Sequence, residues 1–388
     1  MRSALFTVTT LFLAAGLPAL ASSPAKVAAP HRAAAAKAPA IEVLFVLDTT
    51  GSMGGLIEGA KLKIWSIATQ MLQARPAPRL RIGLLGYRDR GDSDVTRFTD
   101  LTEDVDAVYA QLTQFQAGGG GDAPESVNQA LHEAVTRASW SQDSRTLKLV
   151  FLVGDAPPHM DYPDDVKYPA SCALALKRDL VINTIQCGAM SDTARFWEDI
   201  ARRGGGCFTA IGQNGNMQAI ATPYDAELTR LNAEVGATLV PYGREDERNA
   251  VVAKQARAEA AAAAAPSAVA DRLAFNAATG RVVQGGGDLL DDLKGGKVSL
   301  EKVARKDLPP EMQALKPEQR QAYVKQKEAE RARIQGRIAE LTKQRQAWLE
   351  ADAKKRAVAG SGDSFDQKVG EAIRAQAAKK GLRYAAGK

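Results

Sequence analysis

A short apolar run that ends in an acidic, hydroxyl-rich turn constrains the fold of this chain more than any other feature. Residues 41–47 read Ile-Glu-Val-Leu-Phe-Val-Leu, and the turn that follows reads Asp-Thr-Thr-Gly-Ser-Met. A β-branched and aromatic run of this length predicts a buried parallel strand. In open α/β sheets, ligands bind beyond the carboxyl ends of the strands, which is where this turn lies. The oxygen atoms of Asp48, Thr50 and Ser52 therefore form a candidate Mg²⁺ site, although the two hydroxyls could equally cap the next helix.

Short apolar runs alternate with helical spacing of apolar residues from residue 41 to residue 235. The predicted strands are 41–47, 80–87, 94–98, 146–153, 180–186 and 207–211, and the predicted helices are 54–73, 102–116, 126–138, 172–177, 191–203 and 217–235. This alternation predicts an α/β fold, in which helices flank both faces of a doubly wound, mostly parallel sheet.

The beginning of the chain has a different composition. Arg2 and the apolar stretch 4–20 lead to Ala-Leu-Ala before two serines, which is the layout of a cleaved secretory signal over residues 1–21. A retained membrane anchor is the alternative. Residues 22–40 are rich in Ala and Pro and predict a linker. We therefore expect an exported protein, periplasmic or secreted, with no transmembrane segment after signal cleavage.

The composition changes again after residue 235. Residues 236–296 are rich in Ala and Gly and predict a poorly ordered linker with short helices at best. Residues 297–388 predict a charged helical region, with a long helix over 317–357 whose apolar stripe is sparse for a coiled coil. A second amphipathic helix, starting near Phe365, is expected to pack back on the long one.

The charge distribution bears on the class of partner. The net charge is +6 and the basic residues are enriched in the C-terminal third, which permits contact with an anionic envelope surface. A basic patch interleaved with aromatic residues, as nucleic-acid binders use, does not occur in the sequence. We therefore expect a protein partner and no nucleic acid.

Two further loops are predicted to bring acids to the edge of the sheet where Asp48 lies. Four glycines at 118–121 precede Asp122-Ala-Pro-Glu125, and the strand at 146–153 is followed by Gly-Asp155-Ala-Pro-Pro-His159. Because the carboxyl ends of parallel strands meet at one edge, we expect Asp48, Glu125 and Asp155 to lie close together.

This constellation resembles the metal-ion-dependent adhesion site of von Willebrand factor type A domains. Asp-x-Thr-x-Ser at 48–52 is similar to the first motif of the family, with Thr in place of the commoner middle Ser, and Gly-Asp-Ala-Pro at 154–157 is similar to its late aspartate loop. The glycine-rich loop lacks the family's usual threonine. It resembles instead the loop of integrin β subunits, in which an Asp-x-Pro-Glu segment supplies a metal-binding glutamate. The resemblance covers residues 41–235.

The resemblance implies a ligand set and a function. The implied ligands of Mg²⁺, or of Mn²⁺ with Ca²⁺ as a further candidate, are Asp48, Thr50, Ser52, Glu125 and Asp155. By analogy Asp122 lies behind these ligands or at an adjacent cation site. One coordination position would stay open for a carboxylate of a partner protein.

Three further residues are candidates for the rim around the ligand: Arg88, Asp89 and His159. For Arg88 and Asp89 a salt-bridged turn is the alternative, and His159 can equally be a loop residue that packs on Tyr162.

The leading hypothesis is an exported, cation-dependent protein-binding module of adhesion type and not an enzyme. An envelope structural or assembly factor that acts through its helical tail is the alternative from another class. A metal-assisted hydrolase is a third hypothesis, which lacks a convincing general base.

The three cysteines can be placed in the predicted topology. Cys187 lies at the carboxyl end of its strand and Cys172 near the same end of the preceding antiparallel helix, whereas Cys207 opens its strand at the other end. This arrangement favours a Cys172–Cys187 disulfide with Cys207 as a buried free thiol, and an oxidising compartment permits it.

Overall fold

A sheet of six strands, in the order β3-β2-β1-β4-β5-β6, organises the first half of the described chain. The computed structural model describes residues 38–358 and 364–384, so the predicted signal (1–21) and most of the predicted linker (22–40) lie outside the described residues. The strands are β1 (Ala40–Asp48), β2 (Arg79–Tyr87), β3 (Thr96–Thr102), β4 (Leu147–Gly154), β5 (Leu180–Cys187) and β6 (Gly205–Ile211). Only β3 runs antiparallel to its neighbour.

Helices cover both faces of this sheet. They are α1 (Gly54–Leu72), α2 (Val105–Leu112), α3 (Val127–Arg137), α4 (Tyr168–Lys177) and α5 (Ser191–Arg203). The next helix, α6 (Asp225–Gly236), packs on later helices of the chain instead. Along β1, Val43 and Phe45 belong to the core beneath α1 and α2, whereas Leu44 and Val46 belong to the core beneath α3, α4 and α5. A strand buried on both faces reads as a continuous apolar run, which explains the sequence pattern. The predicted α/β fold is confirmed.

Some predicted boundaries differ from the observed ones for local reasons. Helix α2 starts later than predicted because the Asp104 carboxylate accepts a hydrogen bond from the backbone N–H of Ala107 and so caps the helix. Helix α6 begins at Asp225 rather than near residue 217. Pro223 disfavours helical backbone at the residue before it, which blocks a longer helix.

The segment 236–296 is more ordered than its composition indicates. The helices after residue 236 are α7 (Glu245–Ala264), α8 (Pro266–Thr279), α9 (Leu289–Lys294), α10 (Pro310–Gln313), α11 (Pro317–Val358) and α12 (Phe365–Ala377). Helix α8 packs on α1, with the ring of Phe275 5.5 Å from that of Trp65. The buried guanidinium of Arg272 donates to the Asp106 carboxylate at 2.8 Å. A few large side chains among many alanines are enough to anchor this helix, and a composition argument misses them.

The long helix α11 is present with almost the predicted limits. Its apolar stripe, Ile334, Ile338 and Leu341, is buried in a cluster shared with α6 and α8. The stripe therefore serves packing within this chain rather than a coiled-coil seam.

The expectation that the last helix packs back on α11 is wrong. Helix α12 packs on α1 and on the sheet: the ring of Phe365 lies 6.2 Å from that of Phe45, and Gln376 exchanges hydrogen bonds of 2.6 and 3.2 Å with Asn183. Because the apolar side chains of α12 complete the α1-side core, they cover sheet surface that would otherwise be exposed.

The predicted disulfide is absent, since all three cysteines, which lie within the described residues, are free. Cys187 belongs to the core on the α1 side of the sheet and Cys172 to the core on the opposite side. Both cysteines were predicted near the same end of the sheet, but their side chains lie on opposite faces of it, which prevents a disulfide. Cys207, expected to be buried, is exposed.

Within the described ranges, no helix has both the length and the apolar character that crossing a membrane requires.

Candidate metal centre

The carboxyl ends of β1 and β4 bring two acids together. Asp48 is the last residue of β1 and is fully buried, and Asp155 directly follows β4, which pairs with β1. The close approach requires glycine at position 154, because a Cβ atom there would lie 2.9 Å from Cβ of Asp48 and 2.5 Å from the hydroxyl of Tyr87. The structure thus places these predicted residues at one point of the sheet edge.

The turn after β1 directs its hydroxyls towards Asp48. Oδ1 of Asp48 accepts hydrogen bonds from the backbone N–H of Thr50 at 2.8 Å and from its hydroxyl at 2.6 Å. Oγ1 of Thr50 lies 3.4 Å from Oγ of Ser52, whose residue is exposed. Neither hydroxyl caps a helix, so the alternative interpretation of this turn as a helix cap is not supported.

The glycine-rich loop delivers Glu125 to the same place. Glu125 forms a short parallel bridge with the segment after β4, in which its N–H donates to the Pro157 carbonyl at 2.9 Å. Gly120 has a φ of +84°, which favours glycine, and a Cβ there would lie 3.3 Å from Oε1 of Glu125 and 3.5 Å from Cβ of Thr50. The loop therefore brings the Glu125 carboxylate beside the turn after β1.

Burial and the neighbouring acids raise the pKa values of two carboxyl groups in this cluster. Burial is the main cause that raises the pKa of Asp48 to about 7, with hydrogen bonds from Thr50 acting against it and the charge of Asp155 adding to it. Burial likewise raises the pKa of Glu125 to about 9, and the charges of Asp48 and Asp89 raise it further. Ionisation of each carboxyl group is disfavoured chiefly because burial removes it from water, and the neighbouring acids add to this effect.

The atoms left without partners fit a hard cation. Oδ2 of Asp48 and Oε2 of Glu125 are buried and accept no hydrogen bond. In the described part of the chain, no lysine, arginine or histidine forms an ion pair with Asp48, Glu125 or Asp155. Buried carboxylates are normally paired or bound to a metal, so the donor set suits a divalent cation.

Two neighbours of this cluster escaped sequence reasoning. The hydroxyl of Tyr87 is buried without a partner, and burial together with the nearby acids raises its pKa. Pairing of β1 with β2 places Tyr87 beside Asp48, so the strand register could have identified it. The Gln213 amide donates to Oδ2 of Asp155 at 2.6 Å from the loop after β6, for which the sequence carries no signal.

The three candidates for the ligand rim separate in the structure. Arg88 donates hydrogen bonds to the carbonyls of Thr49 at 3.2 Å and Gln116 at 2.7 Å. It therefore ties two loops together, and within residues 38–358 and 364–384 it forms no salt bridge of the kind that the sequence allowed. Asp89 and His159 are buried, and they lie together with Asp122 beside the main cluster. His159 also stacks on Tyr162 with ring centres 4.1 Å apart, which was the alternative role predicted for it.

Comparison with known proteins agrees with this architecture. Residues 42–221 match the family model described as von Willebrand factor A domain. Over 120 residues the chain is 38% identical to von Willebrand factor A domain-containing protein 7 of Rattus norvegicus and 36% identical to the protein of the same name of Homo sapiens. The chain therefore carries a von Willebrand factor A domain, which suggests a protein-interaction module.

The match to these relatives is partial. It includes 31% of this chain and 12% of the length of each relative. Among solved structures, the SpRpn10 VWA domain aligns with a TM-score of 0.35 at 15% identity, over 45% of this chain and 89% of that one. Proximal thread matrix protein 1 from the mussel byssus aligns with the same score and identity, over 46% of this chain and 43% of that one.

Proposed function

We propose that this protein is a metal-ion-dependent protein-binding module that captures an acidic group of a partner through a divalent cation. One observation carries the proposal: Asp48 and Glu125 each keep a buried oxygen atom without a hydrogen-bond donor at the carboxyl edge of the sheet. Buried carboxylates in this condition gain most from a cation, because the alternative is protonation.

The side chains that would hold the ion are Asp48, Thr50, Ser52, Glu125 and Asp155. A donor set made only of oxygen atoms suits Mg²⁺ or Mn²⁺, and Ca²⁺ is a further candidate. When bound, the ion supplies a positive charge and a coordination position for the carboxylate of a partner. Because Ser52 is exposed and Asp155 is half-buried, the partner would approach from their side.

The proposal includes no catalytic step. The five side chains bind and orient the ion, and the partner is held without any bond being made or broken. His159, which the sequence offered as a rim candidate and not as a convincing general base, points its Nε2 towards Asp89 and Asp122. A hydrolytic function therefore has no specific observation in its favour.

The proposed setting is the periplasm or the outside of the cell, on the basis of the sequence pattern of residues 1–21. The basic C-terminal region could add contact with an anionic envelope surface. Function through the tail alone is less favoured, because α8 and α12 contribute to the same core as the sheet.

Isothermal titration of the full chain with Mg²⁺ and Mn²⁺ tests the metal site. The Asp48→Ala/Ser52→Ala double variant should lose most of the affinity for both ions. A matched control is the Asp246→Ala/Ser299→Ala double variant, which replaces an exposed aspartate and an exposed serine far along the chain. Equal affinities of the wild type and the site variant would contradict the proposal.

Cross-linked pull-down from a native envelope fraction tests capture of a partner. Partners that the wild type recovers in Mg²⁺ should be lost in EDTA and with the site variant, but kept with the control variant. Recovery that resists the chelator would leave the metal without a role in binding. A deletion of the tail cannot replace this test, since it would remove part of the core.

A further inference from the structure

A second group of potential ligands lies beside the proposed Mg²⁺ site and shares no side chain with it. Nε2 of His159 is 3.4 Å from Oδ2 of Asp89 and 3.8 Å from Oδ1 of Asp122. The three ligand atoms all lie within 4.8 Å of one another. We call this group the His159 cluster.

The imidazole of His159 is the observation that sets this cluster apart from an ordinary acidic patch. The residue is only 5% exposed, and its Nε2 is buried with no hydrogen-bond partner. Its Nδ1 lies 2.8 Å from Oδ1 of Asp161. With the ring proton on Nδ1, where Asp161 can accept it in a hydrogen bond, the lone pair of Nε2 faces Asp89 and Asp122. This is the arrangement that protein metal sites use to orient a histidine ligand.

The surrounding side chains hold the other buried ligand in place. Oδ1 of Asp89 accepts a hydrogen bond from the Ser126 hydroxyl at 2.9 Å, and Oδ2 accepts one from the Tyr162 hydroxyl at 2.8 Å. The Tyr162 ring stacks on His159, which fixes the plane of the imidazole. Asp122, by contrast, has a side chain that is 66% exposed, so an ion can enter from its side.

The distances fit a tetrahedral ion. Bonds of about 2.1 Å at tetrahedral angles separate neighbouring ligand atoms by about 3.4 Å. The distance from Nε2 of His159 to Oδ2 of Asp89 already has this value. The distance from Nε2 to Oδ1 of Asp122 is longer, and a small movement of the exposed Asp122 side chain would close the difference.

We propose that His159, Asp89 and Asp122 form a second cation site that prefers Zn²⁺ and leaves a fourth position open to water or a ligand. One imidazole nitrogen with two carboxylates favours Zn²⁺ over Mg²⁺, which takes oxygen ligands in octahedral geometry. The proposal does not rest on the Mg²⁺ site, because none of its five ligands belongs to the His159 cluster. It gives the domain two cations of different chemistry at one edge of the sheet.

Zinc titration of the full chain against a chromophoric chelator, in a large excess of Mg²⁺, tests the proposal. The wild type should bind one Zn²⁺ ion, and His159→Gln should weaken binding at least a hundredfold. Asp122→Asn should weaken it at least tenfold, and because that residue is exposed, the variant tests the site even if a change at His159 impairs folding. Asp161→Asn should lower the zinc affinity about 10- to 100-fold, since this carboxylate only orients the imidazole.

Three controls separate this site from other binding. His132→Gln removes a histidine outside the cluster and Cys207→Ser removes the exposed thiol, and neither should change zinc affinity. Asp48→Asn disables the proposed Mg²⁺ site and should also leave zinc affinity unchanged. Zinc binding that survives both His159→Gln and Asp122→Asn, or that is lost in Cys207→Ser or Asp48→Asn, would overturn the proposal. Absence of zinc binding to the wild type would overturn it as well.

Discussion

Replacement of Asp48 by Asn tests the electrostatic account of the metal centre most directly. The carboxylate is fully buried, and burial is the main cause that raises its pKa from 3.8 to about 7. The pKa of Asp48 is higher in the folded state than in the unfolded state. At any pH between these two pKa values, folding is therefore accompanied by uptake of a proton. Ion-free protein therefore loses stability as the pH rises from about 4 to about 7, and the loss is complete above that range.

The magnitude follows from the size of the shift. Each pH unit between the two pKa values costs about 1.4 kcal/mol of unfolding free energy, so the full cost of the charged Asp48 is at most about 4 kcal/mol. Between pH 5 and pH 8 the expected loss is about 2–3 kcal/mol. Asn is isosteric and keeps an oxygen for the hydrogen bonds from Thr50, so Asp48→Asn should remove this loss without leaving a cavity.

Urea unfolding of the full chain at pH 5 and pH 8, in EDTA and then in Mg²⁺, is the assay. In EDTA, the wild type should lose about 2–3 kcal/mol more than Asp48→Asn between the two pH values. At pH 8, Mg²⁺ at a hundred times its dissociation constant should raise the free energy of unfolding of the wild type by about 2.7 kcal/mol. The same Mg²⁺ concentration should leave the free energy of unfolding of the variant unchanged. Asp246→Asn, a change at an exposed aspartate, should behave as the wild type.

Two results would refute the reasoning. If Asp48→Asn loses as much stability as the wild type between pH 5 and pH 8 in EDTA, the buried carboxylate is not the source of the pH dependence. If the variant gains as much from Mg²⁺ as the wild type does, Asp48 is not a ligand.

Three further changes test the packing that supports the site. Gly154→Ala should lower the free energy of unfolding in urea by about 1–3 kcal/mol, because its Cβ would lie 2.5 Å from a buried tyrosine hydroxyl. Gly121→Ala, which has open space around it, should leave the free energy of unfolding unchanged. Arg272→Met should lower the free energy of unfolding by about 3–5 kcal/mol, because it leaves the Asp106 charge buried without its ion pair. The double variant that also carries Asp106→Leu should recover much of that loss. Phe365→Ala should lower the free energy of unfolding by about 3–5 kcal/mol, and an unchanged value would mean that α12 is not part of the core.

The sheet could be predicted from the sequence because its strands carry their signal locally. The parallel strands β1, β2, β4 and β5 are buried on both faces, so each reads as an apolar run, and the helices between the strands read at helical spacing. The largest displacement among the strands is that of β3, which is predicted at 94–98 and spans Thr96–Thr102. It is a half-exposed edge strand whose polar residues give a weak pattern.

The packing of the C-terminal helices could not be predicted in the same way. Helix α8 contacts α1 through Phe275, which packs on Trp65, and it contacts α2 through Arg272, which pairs with Asp106. Both partners lie more than a hundred positions earlier in the chain. Composition describes a segment by itself and contains no information on such partners. The cysteine prediction failed for a related reason, since the two sides of a sheet cannot be told apart from positions along its edge.

The acids of the site were predictable as a group, but their environment was not. Strand ends and a glycine-rich loop located Asp48, Asp155 and Glu125 in the sequence. That Glu125 and Asp48 keep unpartnered oxygen atoms depends on burial, which only the folded chain determines. The same holds for His159, whose Nε2 faces two carboxylates only because three loops meet in the folded chain.

The loop after β6 joins the site to the tail, and this limits what truncation can reveal. Gln213 of this loop donates to Asp155, and the carbonyl of Gly215 two residues later accepts the backbone N–H of Phe365 at the start of α12. A chain cut after α6 would lose a wall of the core and one support of the loop that reaches the acids. Loss of binding by such a fragment would therefore not assign binding to the tail, whereas point changes at Asp48 and Ser52 leave that support intact and can.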